Sequence, residues 1–169
     1  NHVWALDFAY DQTADCRTLK YLSITGEFTR HALAIEVERS MSGDDIVAVL
    51  ERLIMVHGAP GFVRMDNGTE MTSNTVADWC RFAPTGIVFI DPGSPWQNAY
   101  VESFTGRLRD ELLAVEVFHT LLEAKIMAED YRQHYNAYRP HSSLGYLTPD
   151  EFALQWTNTN PGLTKSLAH

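Results

Sequence analysis

Cysteine is nearly absent from this chain. Cys16 and Cys80 stand far apart and without metal-ligand spacing, which excludes a disulfide framework and a cysteine-rich zinc module and suggests a reducing, cytoplasmic setting. No apolar run approaches the length of a membrane span, and no charged-then-apolar leader is present, so no membrane partner is expected. An internal repeat, a low-complexity tract and a second domain are missing too. Cationic excess is also missing, since 13 Lys and Arg face 22 Asp and Glu for a net charge of −9. Free-standing nucleic-acid binders draw much of their affinity from cations set against phosphate. This balance admits DNA only if metal ions neutralise the carboxylates, or if other domains or subunits do the holding. What remains is 169 residues, 45% hydrophobic and 11% aromatic, enough for one domain with a full core. The expected limits are a domain over residues 1–156 and a flexible tail over 157–169. A start at Asn1 rather than Met suggests a piece of a longer protein.

The chain is organised around Asp91–Leu113, DPGSPWQNAYVESFTGRLRDELL. Ser94 as N-cap, Pro95 at the first helical position and Gln97 three residues after the cap predict a helix start. Val101, Phe104, Leu108 and Leu112 then recur at three- and four-residue spacing as a buried stripe. Beside them run Asn98, Glu102, Thr105 and Arg109, a carboxylate flanked by an amide and a guanidinium, suited to hold a metal or a phosphate.

Upstream, Val3–Ala9 reads as a strand with Val3, Ala5, Asp7 and Ala9 on one face and Trp4, Leu6 and Phe8 on the other. An acid inside so apolar a strand is costly to bury. Asp7 is therefore either a satisfied strand-end residue or a metal ligand. The segment DQTADCR reads as a hairpin turn, and Thr18–Thr25 and His31–Glu38 read as strands two and three. Ser42 opens a helix whose core face is Ile46, Val49, Leu50, Leu53 and Ile54, stopped by Gly58 and Pro60. Phe62–Met65 is a fourth strand running into the turn Asp66-Asn67-Gly68. Thr72 or Ser73 caps another helix, Gly86–Ile90 is a fifth strand, and the central helix follows. Thr120 and Glu123 form a capping box for a long helix that breaks at Arg139-Pro140. Thr148, Pro149 and Glu151 start a last helix ending near Trp156. This order predicts an α/β fold with a five-stranded mixed sheet, three antiparallel strands and then two more, flanked by helices.

Three acids stand out together: Asp7 on the first strand, Asp66 at the end of the fourth, and Glu102 on the helix after the fifth, with residues 67 to 101 forming a gap of 35. The surrounding blocks are Trp4–Phe8, Arg64–Glu70, Gln97–Phe104 continuing through Gly106–Leu112, and Tyr135–Tyr146 followed by Thr148–Phe152. Four such blocks in this order resemble the retroviral-integrase-like catalytic core of bacterial transposases of the insertion-sequence-3 family, over about residues 1–156. The chain departs from the family at Gly26, where an acid is common, at Met65, where a small polar residue is common, and at Thr69, where Pro is common. The resemblance implies an RNase H-like fold, a catalytic triad of Asp7, Asp66 and Glu102, and action on transposon-end and target DNA. It also implies a homo-oligomer and a helix-turn-helix region upstream of Asn1.

The triad has a physical reading of its own. Phosphodiester cleavage needs an in-line oxygen nucleophile, a stabilised leaving oxygen and neutralised phosphoryl charge, which two divalent ions supply together. Mg²⁺ or Mn²⁺ favours carboxylate oxygen, so Asp7, Asp66 and Glu102 are the expected metal ligands, with two ions bound once DNA is present. Arg109 is a candidate phosphate contact, Asn98 orients a ligand or touches DNA, and Arg139 and His141 are candidate outer DNA contacts. Two other readings stand beside strand transfer: an RNase H-like nuclease that never joins strands, and a non-catalytic remnant that assembles with a partner or holds DNA.

Overall fold

The computed structural model describes residues 2–65, 75, 76, 78, 79, 86–89 (backbone) and 98–160. Asp66, Asn67 and Glu70, the expected caps Thr72, Ser73 and Ser94-Pro95-Gln97, and the chain after Asn160 lie outside the described residues.

Three strands come first: β1 (Val3–Gln12), β2 (Thr18–Gly26) and β3 (Ala32–Glu38). Helix α1 (Gly43–His57), strands β4 (Phe62–Met65) and β5 (Gly86–Phe89), and helix α2 (Ala99–Leu108) follow. Without a break, α2 becomes a π-helical turn over Arg109–Leu113; α3 (Leu121–Tyr138) and α4 (Pro149–Thr159) complete the order. The sheet order is β3-β2-β1-β4-β5, with the β1–β2 and β2–β3 pairs antiparallel and the β1–β4 and β4–β5 pairs parallel. The expected five-stranded mixed sheet is therefore what forms.

Several boundaries move. β1 runs on to Gln12 because Asp11 and Gln12 pair with Leu19 and Thr18. The turn narrows to 13–17, held by the Thr13 N–H donating to the Arg17 carbonyl at 2.9 Å. β3 starts at Ala32, one residue late. α4 continues through Thr157–Thr159, so the boundary expected after Trp156 falls inside a helix. The last turn is held there by Thr157 and Thr159 hydroxyls donating back to the carbonyls of Ala153 and Gln155.

Caps behave as their sequences require. Ser42 with Asp45, Thr120 with Glu123 and Thr148 with Glu151 each form a reciprocal capping box, satisfying N–H groups that have no partner inside the helix. Gly58, at φ 77°, ends α1 in a backbone region where a Cβ would be strained.

Each sheet face carries its own core. Trp4, Leu6, Leu22 and Ile24 pack against Ile46, Leu50 and Leu53 of α1. On the opposite face Ala9, Leu19, Tyr21, Ile35 and Val37 pack against Phe104, Leu108 and Leu112 and against Ala124, Ala128 and Tyr135 of α3. Burying each large side chain contributes about 1.5–3 kcal/mol. The edge strand β3 is closed by α3: the buried Asn136 amide accepts from the Ala32 N–H and donates to the Ala32 carbonyl, both at 2.9 Å. A side chain thereby takes the place of a neighbouring strand. α4 docks on the β2–β3 turn through Phe28, whose ring stands edge-on to Phe152 and Trp156.

Candidate active site

Asp7 sits midway along β1 and is half-buried. Strand alternation gives it the face of Ala9, on which α2 lies. Its Oδ1 accepts the N–H of Phe8 at 2.8 Å, and its cross-strand neighbour is Ser23. Along that face of β2 the side chains change from Leu19 and Tyr21 to Ser23 and Thr25. The Ser23 hydroxyl is buried and has no hydrogen-bond partner among the described residues.

Helix α2 reaches β1 through its N-cap, Asn98. Asn98 is 2% exposed, and its Nδ2 donates to the carbonyl of Leu6 at 3.3 Å. Its Oδ1 is buried without a partner among the described residues. Leu6 directly precedes Asp7, so this amide ties the start of α2 beside the strand acid. Glu102 follows one helical turn later, about 6 Å along the axis, in the first turn of α2 and exposed. The structure thus fixes the start of the helix that carries Glu102 against the strand residue preceding Asp7. The third acid, Asp66, lies outside the described residues, and among those residues no three His, Cys, Asp or Glu form a metal-sized group.

The other expected contacts separate. Arg109 is exposed at the junction of α2 with the π turn. Thr105, assigned to the polar stripe with it, is 2% exposed and belongs to the buried face. Asn98 faces the β1 backbone rather than solvent, because the amide satisfies a strand carbonyl there. Arg139 is ion-paired with Glu111 and lies 5.6 Å from the Tyr135 ring. His141 is 8% exposed, edge-on to Tyr135 at 5.2 Å. Burial, followed by the nearby charges of Arg107, Arg139 and Arg30, pushes its imidazole down to about 4, so it is neutral near pH 7. Its segment closes on itself: the His141 N–H donates to the Leu147 carbonyl at 3.0 Å, and the His141 carbonyl accepts from Tyr146 at 2.8 Å.

Residues 1–95 match one family model described as an integrase core domain, and residues 85–149 match a second of the same description. The chain belongs to the integrase core domain family. Among curated relatives, the integrase core is 39% identical over 96% of its length to an uncharacterized 39.2 kDa protein of insertion element IS476 from Xanthomonas euvesicatoria. It is 40% identical over 90% of its length to an uncharacterized 31.7 kDa protein of insertion element IS407 from Burkholderia multivorans. It spans about half of those proteins, 49% and 55%. It is also 31% identical over 90% of its length to the transposase of IS904 from Lactococcus lactis, spanning 61% of that protein. Among solved structures, the HTLV-2 integrase catalytic core domain in complex with magnesium, in a trimeric form, aligns at TM-score 0.67 and 15% identity, over 90% of this chain and 95% of that one. The BIV integrase catalytic core aligns at TM-score 0.62 and 19% identity, over 94% and 97%. The RNase H-like fold expected from the sequence is thus borne out.

Sequence reasoning missed Arg30, Arg107 and Asn136. Arg107 sits within the GRLRDEL block, but only Arg109 shares the helical phase of Glu102. Arg30 and Asn136 gain meaning only through partners more than a hundred residues away.

Proposed function

We propose that this integrase core is the catalytic domain of an insertion-sequence transposase, a polynucleotidyl transferase that cleaves transposon-end DNA and joins it to target DNA with Asp7, Asp66 and Glu102. The observation that carries this reading is the β1–β4 register. Residue 3 lies opposite 62, 4 opposite 63 and 5 opposite 64, and the same offset of 59 separates Asp7 from Asp66. Val63 and Met65 enter the core on the α1 face, so the even-numbered positions of β4 fall to the face of Asp7, and Asp66 is the next even-numbered position. The Asn98 anchor supports bringing Glu102 to the same place.

The donor set suits a hard divalent cation. It offers carboxylates, and across the strand from Asp7 the Ser23 hydroxyl has no hydrogen-bond partner among the described residues. Asp7, Asp66 and Glu102 would hold Mg²⁺ or Mn²⁺, two ions once DNA is bound, supplying charge neutralisation at the phosphoryl group and a more acidic water. In the first step a water oxygen bonds to phosphorus, the P–O3′ bond breaks and a 3′ hydroxyl is freed. In the second, that 3′ oxygen attacks another phosphodiester, forming one P–O bond as one breaks. β1 and α2 hold two carboxylates on rigid elements, and Arg109 meets backbone phosphate beside Glu102. Neither covalent enzyme intermediate nor protein general base is needed. Terminal DNA recognition belongs to helix-turn-helix segments of the longer parent protein, acting as a homo-oligomer in the bacterial cytoplasm. The test is Mg²⁺- or Mn²⁺-dependent nicking of terminal-repeat DNA, with strand transfer followed on pre-cleaved ends. Equal activity of wild type and Asp66→Asn would overturn the metal assignment, and nicking without joining would reduce the reading to a nuclease.

A further inference from the structure

On the far flank of α2 a cavity of about 480 Å³ lies between the end of β2, the β2–β3 turn and the segment after α3. At about 100° per residue, Tyr100 and Arg107 project roughly opposite to Glu102 and Arg109, with Ser103 at about a right angle to Glu102. The cavity therefore opens on a different side of α2 from Glu102.

Its walls are built for negative charge. In a chain of net charge −9, no carboxylate among the described residues lines it, whereas Arg30 and Arg107 do, together with the neutral His141 imidazole and the hydroxyls of Thr25, Ser103, Ser142 and Ser143. Arg30 is fixed rather than free. Its Nε donates to Ser143 Oγ at 3.3 Å, and its guanidinium carbon stands 3.3 Å from the centre of the Tyr100 ring. It springs from a left-handed backbone at φ 60°. That anchoring leaves Arg30 Nη1 buried without a partner among the described residues. Arg107 comes from α2, and its charge acts on the Tyr135 hydroxyl, favouring the ionised form against burial. Thr25 and His141 are 4% and 8% exposed, and Thr25 Oγ1 and His141 Nε2 are likewise buried without partners among the described residues.

Three separate elements, the end of β2, the β2–β3 turn and the segment after α3, thus each bring to the wall of this cavity a residue with one polar atom that has no partner among the described residues. Buried polar groups are ordinarily hydrogen-bonded, so a polar ligand entering here would find groups whose hydrogen-bonding capacity is not used up. Two guanidiniums with hydroxyls between them match a phosphate, whose oxygens accept several hydrogen bonds at once. The cavity is larger than one phosphate, and the exposed Tyr146 ring stands at its rim, a surface suited to a sugar or base.

We propose that this cavity is a phosphate site that seats one backbone phosphate of a DNA strand on the flank of α2 away from the cleaved bond. Its DNA source rests on the transposase reading given above; its phosphate chemistry does not. The site adds a fixed grip on DNA in a domain whose overall charge opposes DNA.

The first arm of the test titrates the chain with inorganic phosphate and follows the arginine Nε–H signals by NMR. Saturable shifts are expected at Arg30 and Arg107, and none at Arg52 of α1, which is paired with Glu36 of β3. Arg107→Gln should abolish saturation. So should Arg30→Asn, a residue that tolerates the left-handed backbone. Unchanged titration in either folded variant overturns the site. The second arm measures anisotropy of labelled DNA in EDTA across a salt series. Arg107→Gln should weaken binding about tenfold and reduce the salt slope by about one, while Arg52→Gln should change far less. Loss of phosphate binding with DNA affinity unchanged overturns the DNA assignment in favour of a free phosphate compound. Phosphate and DNA binding that persist in a chain unable to nick or join DNA support the site and defeat only the transposase reading.

Discussion

The Asn98 side-chain amide donates to the carbonyl of Leu6 across 3.3 Å, tying the first turn of the helix that carries Glu102 to the strand position next to Asp7. The link is made by a buried amide that does no chemistry. Asn98→Ala should lower stability by about 1–2 kcal/mol and reduce strand transfer more than that loss of folded protein accounts for. Chemical denaturation alongside single-turnover joining checks it. Unchanged joining in a folded variant would show that α2 holds its place without the tie.

Neutralising the acids should separate chemistry from folding. Asp7→Asn keeps an oxygen to accept the Phe8 N–H, so its melting temperature should stay near that of wild type. Mn²⁺-dependent nicking should fall at least about 10²-fold. Glu102→Gln, at an exposed position, should behave the same way. A collapse of the fold in Asp7→Asn would instead make that carboxylate structural.

Acid should destabilise the domain through His141. The folded imidazole titrates at about 4, the unfolded one near 6.5, so between those values the unfolded chain binds more protons. Stability from this group is complete above pH 6.5 and is lost as pH falls towards 4, at most about 3 kcal/mol in all. The lowered imidazole of His57 acts in the same direction through its own burial, so the comparison must be with His141→Gln. Urea midpoints of wild type should drop relative to the variant between pH 6.5 and 4.5. Parallel profiles would refute the assignment.

The edge of the sheet offers a fourth check. Asn136→Ala removes both the donor and the acceptor that close on Ala32. Arg132 also donates to the Ala32 carbonyl, at 3.1 Å, but a guanidinium has no acceptor to offer the Ala32 N–H. The expected cost is on the order of 2–3 kcal/mol, with faster hydrogen exchange at the Ala32 amide and little change in nicking. Retained protection at Ala32 would show that another group closes the edge.

The fold was legible in the sequence where local chemistry decides it. Ser42, Thr120 and Thr148 each announce a helix start through an acid three residues on, and the stripe Val101, Phe104, Leu108, Leu112 is buried as its spacing requires. Strand ends were less legible, because Asp11 and Gln12 stay in β1 only through partners on β2. Glu102 and Arg109 were found by helical phase. Thr105 shares that stripe on paper but faces the core, since a helix resting on a sheet buries the residue nearest its contact line whatever its polarity. The cavity around Arg30 was invisible, as its walls come from segments around residues 25–30, 100–107 and 135–146 that only the folded chain assembles.

The π turn at Arg109–Leu113 bears on how such a domain can vary. A π turn holds one more residue than the α-helical turn it replaces, so it resets the azimuth of everything after it while leaving everything before it in phase. The half of the helix bearing Glu102 keeps its alignment with β1. The other half turns Leu112 and Leu113 inward to meet the core under α3. One extra residue thus uncouples the two jobs of a single rod, and deleting a residue there should rotate the distal half without disturbing the proximal acid.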